Sequence, residues 1–148
     1  LQGFVGQKDS LTNNTLTSIL RVTTGNNQGC AAILVIRWNV HTQLLRRFRT
    51  GEVEIILARS ANNSMVAAIT GNLNEQTVLV SSAETLTVVF AMSAVSGGAT
   101  DVQTIDLQVT INSDFGAGSN PTIAYEVMML NKSEPASDST RRLTLTAL

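Results

Sequence analysis

The stretch Gly29-Cys-Ala-Ala-Ile-Leu-Val-Ile-Arg-Trp-Asn-Val40 decides the fold. Its even positions (Cys30, Ala32, Leu34, Ile36, Trp38 and Val40) are all apolar. Its odd positions begin apolar at Ala31, Ile33 and Val35 and turn polar at Arg37, Asn39 and His41. Successive side chains of a strand point to opposite faces. The pattern therefore predicts a strand buried on both faces at its start, with one face emerging into water at its end.

Working outward, the same alternation recurs. Thr15 to Thr24 places Leu16, Leu20 and Val22 on one face, and Gly25-Asn-Asn-Gln-Gly29 is a turn with two glycines that tolerate positive φ. After Gly51, Val53, Ile55 and Leu57 face inward. Met65 to Ile69 and Thr77 to Val80 read as two short strands around Gly71-Asn72. Ala83 to Val95 is a second long strand carrying Leu86, Val88, Phe90 and Met92 on one face. Val102 to Asn112 alternates most cleanly, with Ile105, Leu107, Val109 and Ile111 inward and Thr104, Asp106, Gln108 and Thr110 outward. Thr122 to Leu130 turns Ile123, Tyr125, Val127 and Met129 to one side, and Arg141 to Leu148 does so with Leu143 and Leu145. Residues 1–14 carry no core period and read as an N-terminal arm. Residues 131–148 read as a polar connection and a last strand.

Eight or nine strands at this spacing predict an all-β fold, a single antiparallel β-sandwich of jelly-roll or Greek-key type over residues 1–148. The one helical alternative, Thr42 to Arg49, spans at most two turns.

Composition agrees. Charged residues are 14% of the 148, against about 25% in ordinary domains. Surface polarity must come from Thr, Ser, Asn and Gln, which suit strands and turns. The net charge of −1 gives no field to recruit nucleic acid or an anionic membrane, and neither partner is expected. No apolar run reaches the roughly 18 residues of a spanning helix. A weakly charged surface also hints at partners covering part of it. The first residue is Leu1 rather than Met, so a fragment or processed product is expected. Cys30, the single cysteine, falls in the most apolar strand and reads as a buried, inert thiol.

Chemistry is sparse. One His and one Cys in the same strand make a zinc site improbable, and an oxygen-ligand cation site around Asp114 and Asn120 lacks the acidic loop such sites use. His41 as a general base has no Gly-x-Ser-x-Gly elbow to serve. Glu52 and Glu54 share a strand face, as a glycosidase pair would, but the nearby Arg46, Arg47, Arg49 and Arg59 make surface ion pairing the plainer reading. Trp38 and Tyr125 can stack on sugars in principle. Their apolar faces point instead to the core. Asn62, Asn13 and Asn131 head glycosylation-type triplets. No catalytic residue, metal or cofactor is expected, and no enzyme. The one charge concentration is Arg46-Arg47-Phe48-Arg49. It suits an acidic glycan, because guanidinium forks match carboxylates, or an intersubunit ion-pair network.

Taken together, the Leu-Thr-Ser-Ile-Leu-Arg-Val strand, the Gly/Asn turn, the strand from Cys30 to Val40, Arg-Thr-Gly-Glu-Val-Glu-Ile, Glu-Thr-Leu-Thr-Val-Val-Phe and Ala-Tyr-Glu-Val resemble the C-terminal β-sandwich domains of bacteriophage tailspikes and tail fibres over about residues 15–130. The resemblance implies a non-enzymatic virion part, a homotrimer that contacts other virion proteins and host-surface polysaccharide. It assigns no individual residue. A capsid cement or decoration protein is the close alternative. A carbohydrate-binding module of a secreted protein is the other, although aromatic residues are only 4% of the chain.

Overall fold

In a computed structural model, the chain is described over residues 2–25, 29–42, 48–79, 86–113, 120–133 and 143–148. Nine strands form: β1 (Gln2–Lys8), β2 (Thr17–Thr24), β3 (Cys30–His41), β4 (Phe48–Arg59), β5 (Val66–Leu79), β6 (Leu86–Met92), β7 (Gln103–Ser113), β8 (Thr122–Ser133) and β9 (Thr144–Ala147). No helix occurs among the described residues. The strands make a five-stranded sheet in the order β1-β8-β3-β4-β5 and a four-stranded sheet in the order β6-β7-β2-β9, with every pairing antiparallel. The expected β-sandwich is the fold. Early strands pair with late ones, β1 with β8 and β2 with β7, as in a jelly roll, while β3, β4 and β5 run on as a meander within one sheet.

The opening stretch is central as expected. β3 pairs along its length with β4 and with β8. Leu34, Ile36 and Val40 are fully buried, and Trp38 almost so. They meet Val53, Ile55 and Leu57 of β4 and, from the opposing sheet, Ile19, Leu20, Val22, Leu107 and Val109 in one hydrophobic core. Each such large side chain contributes roughly 1.5–3 kcal/mol by leaving water. Trp38 packs on Phe90 of β6 with ring centroids 5.4 Å apart, so the two sheets are joined through aromatic contact.

Four expectations change. The N-terminal arm contains a strand: β1 pairs with β8 from Gln2↔Met129 to Lys8↔Ile123. Its period is hidden because one inward position is Gly6, where an added Cβ would overlap the Tyr125 ring. The two short strands around Gly71 are one 14-residue strand, whose pairing with β4 slips at three points, and those bulges absorb the irregular sequence. In β2 a register shift between Ser18 and Leu20 buries both Ile19 and Leu20 and leaves Leu16, expected inside, 54% exposed. Of the second long strand, Leu86–Met92 is observed and Ala94 and Val95 lie beyond its end, while residues 83–85 lie outside the described residues.

Polar anchors hold one end of the sandwich. Arg59 ends β4 in phase with Val53, Ile55 and Leu57 and is 2% exposed. Its Nε donates to the Asn63 carbonyl (3.0 Å), Nη1 to Thr24 Oγ1 and the Gly25 carbonyl (2.8 Å each), and Nη2 to the carbonyls of Ala99 (2.8 Å) and Asp101 (2.7 Å). All five guanidinium donors are used, which is what makes its burial tolerable. Gln103 works beside it. Its Oε1 accepts from the Met65 amide at 2.7 Å and its Nε2 donates to the Gly98 carbonyl at 3.0 Å. These two side chains fasten three connections to one point. The last of them turns at Gly97, whose φ of +106° suits only glycine.

Candidate functional site

The residues singled out for binding are only partly in view. Arg46 and Arg47 lie outside the described residues. Arg49 is in β4, where its Nη1 donates to Thr77 Oγ1 at 2.7 Å and its Nη2 pairs with Glu75 at 3.3 Å, both on β5. It ties two strands together, and its Nε is buried without a hydrogen-bond partner among the described residues.

An open, partly polar depression lies on the outer face of the five-stranded sheet. One transverse inner row runs Gly6–Tyr125–Trp38–Gly51 through β1, β8, β3 and β4. Both glycines make room for an aromatic ring: a Cβ on Gly51 would sit 2.5 Å from Trp38 Cζ2. The neighbouring outer row runs Val5–Glu126–Arg37–Glu52–Leu73 across all five strands. Beside it lie Asn39 and Thr50, and together with Asn74 they bound an open depression of about 580 Å³.

Arg37 stands between two carboxylates. Its Nε donates to Glu52 Oε1 at 3.2 Å, with the Arg37 side chain 62% exposed. In water such a pair contributes less than about 1 kcal/mol. Glu126, on its other side, is exposed and makes no hydrogen bond or ion pair among the described residues. Glu54 accepts from Thr70 Oγ1 at 2.9 Å. Of the sequence-near arginines expected to pair with Glu52 and Glu54, Arg49 goes to Glu75 and Arg59 is inside, while Arg46 and Arg47 lie outside the described residues; Glu52 pairs with Arg37 from across the hairpin. A general acid needs a carboxyl in apolar surroundings. Glu52 instead faces a guanidinium and Glu126 faces water, so the row is a charge ladder.

The other candidates resolve into structural roles. Tyr125 is 3% exposed, and its hydroxyl donates to the Ile19 carbonyl at 2.6 Å, fastening β8 to the bulge in β2. Burial pushes its pKa up to about 12. His41 is half-buried with Nδ1 3.3 Å from the Thr42 carbonyl. Asn13, head of one glycosylation-type triplet, uses its side chain on the Ser113 main chain, accepting at 2.8 Å and donating at 3.1 Å. Asn62 is exposed. Among the described residues no group of three or more His, Cys, Asp or Glu side chains is placed to hold a metal ion. Asp114 lies outside them.

Sequence reasoning missed Arg37, Arg59 and Gln103. For the last two a signal existed, since each is in phase with the inward positions of its strand.

No protein-family model matches the sequence, and no curated protein matches it. Two solved structures are similar in fold. The tailspike protein of Acinetobacter baumannii phage AM24 superimposes with a TM-score of 0.52 and 12% identity, covering 98% of this chain. The tailspike protein of Acinetobacter phage vB_ApiP_P1 gives a TM-score of 0.41 and 10% identity over 88% of this chain. The chain spans 28% and 22% of the lengths of those proteins. At such identity the likeness is one of fold: this sandwich is shared with part of a phage tailspike.

Proposed function

We propose that this chain is a structural, non-enzymatic part of a bacteriophage tailspike or tail fibre: a homotrimeric sandwich at the C-terminal end of a longer virion protein. The observation that carries the reading is the fold held in common with part of the AM24 tailspike protein over 98% of this chain. The scarcity of charge supports a building element rather than a reaction centre. Contact with acidic host-surface polysaccharide belongs to the same proposal. There Arg46 and Arg47 supply the forks, and Arg49 braces the strand that follows them.

Light scattering behind a sizing column tests it. The expected mass is three times 15.8 kDa, about 47 kDa. A monomer that stays soluble at high concentration overturns the trimer and moves the reading to a monomeric sugar-binding or cement module. Retention on an acidic polysaccharide column that falls on Arg46→Ala with Arg47→Ala supports the glycan contact. Unchanged retention removes it.

A further inference from the structure

The geometry points to the outer face of the five-stranded sheet as the surface through which three copies of this chain meet around a threefold axis. The inference rests on the proposed trimer and names its interface.

The argument begins with the unfinished burial of β3. Ala31, Ile33 and Val35 alternate with core residues, yet within one chain they are only half-buried. Across the sheet their rows are mostly apolar, broken by Ser133 beside Ala31 and by Glu54 beside Val35. Ile33 lies between Leu130 and Ile56, with Ala68 beyond; Ala31 lies beside Ala58 and Val66; Val35 is beside Met128. Ile56 is 46% and Val66 68% exposed. Of the seven large apolar residues most exposed among the described ones, four (Val5, Ile56, Val66 and Leu73) lie on this face. Contiguous apolar surface of this kind marks an interface.

Size and charge specify the occupant. Five strands at about 4.8 Å spacing and some ten residues at about 3.4 Å rise make a face of about 24 Å by 34 Å, about 800 Å² before corrugation. Shared between two neighbours in a ring of three, it gives about 400 Å² to each, so about 800 Å² of every copy is covered in the closed trimer. Next to the apolar rows, Glu126–Arg37–Glu52 carries both signs in alternation. Arg37 spends only Nε on Glu52, and Glu126 has no partner within the described chain. Arg37 of one copy and Glu126 of the next complete each other in a head-to-tail contact, the kind that closes into a ring. A membrane or nucleic acid would instead select one sign of charge.

The test compares two arginine substitutions at exposed apolar positions, Ile56→Arg on this face and Val89→Arg on the opposite sheet, where Val89 is 60% exposed. Sedimentation velocity gives the mass, and circular dichroism reports the fold. Wild type and Val89→Arg are expected at about 47 kDa, and Ile56→Arg at about 16 kDa with an unchanged spectrum. Val66→Lys, on the edge strand, gives the same readout where Ile56→Arg does not fold. A folded trimer in both face variants overturns this interface and leaves the trimer standing. A monomeric wild type overturns both.

Discussion

The two sheets of this sandwich turn very different faces outward. On the four-stranded sheet, Arg21 lies between Asp106 and Thr146, Thr23 between Thr104 and Thr144, and Gln108 opposite Ser18. Arg21 grips Asp106 bidentately at 2.8 and 3.0 Å. Apart from Val89 on the edge strand, that surface is finished for water. On the five-stranded sheet Ala31, Ile33, Val35, Ile56, Ala58, Ala68 and Val66 face outward beside the charged row Glu126–Arg37–Glu52. Identical strand geometry with opposite chemistry teaches that the second face is built for another protein surface.

The comparison is sharpened first within β3. Leu34→Ala removes a fully buried side chain and is expected to cost about 2–5 kcal/mol, while its outward neighbour, as Val35→Ala, costs less than about 1 kcal/mol. Chemical denaturation in the Ile56→Arg background separates folding from assembly. Equal costs would mean both faces are already buried within one chain.

Next in size is the clamp at the end of the sandwich. Arg59→Met leaves four carbonyls and a hydroxyl without their donor, an expected loss of about 2–4 kcal/mol by the same measurement. A loss below about 1 kcal/mol would show those carbonyls readily find water. Gly51→Ala forces a methyl against Trp38 and is expected to cost about 1–3 kcal/mol. A change in Trp38 fluorescence should accompany it, since the ring must move.

The smallest effect belongs to the finished face. The Arg21 guanidinium, through its hydrogen bonds, holds the Asp106 carboxyl below its usual 3.8. A folded-state pKa depressed in this way stabilises the fold above the unfolded value and loses that contribution as pH falls through the folded one. Melting temperature should therefore drop between pH 5 and pH 2 by slightly less in Asp106→Asn than in wild type. Identical slopes would show the pair adds nothing, as many exposed pairs do. Assembly should be indifferent to the substitution.

Much of this was legible in the residues. The pattern from Cys30 to His41 announced a strand apolar on both sides before Arg37, and that is what β3 is. The alternation from Val102 to Asn112 likewise located a strand, observed at Gln103–Ser113, and its inward side. β1 was illegible because Gly6 stands where the period needs bulk: the space is filled by Tyr125, a partner 119 positions away in the chain. The bulge at Ser18–Leu20 was hidden for a similar reason, since a slip of one residue is set by the partner strand. The candidate site fared differently. Arg46, Arg47 and Arg49 stood out as a run, but the Glu126–Arg37–Glu52 row is assembled from three strands and has no signature in any one of them.

The most direct test of the central claim is carbene footprinting of the intact chain at assembling concentration, comparing Val66 with Val89. Both are valines on outer faces, 68% and 60% exposed in the isolated chain. Val66 is expected to label several-fold less than Val89, with Ile56 protected alongside it. Equal labelling of the two valines would show that the outer face of the five-stranded sheet stays open to water, and would contradict the account.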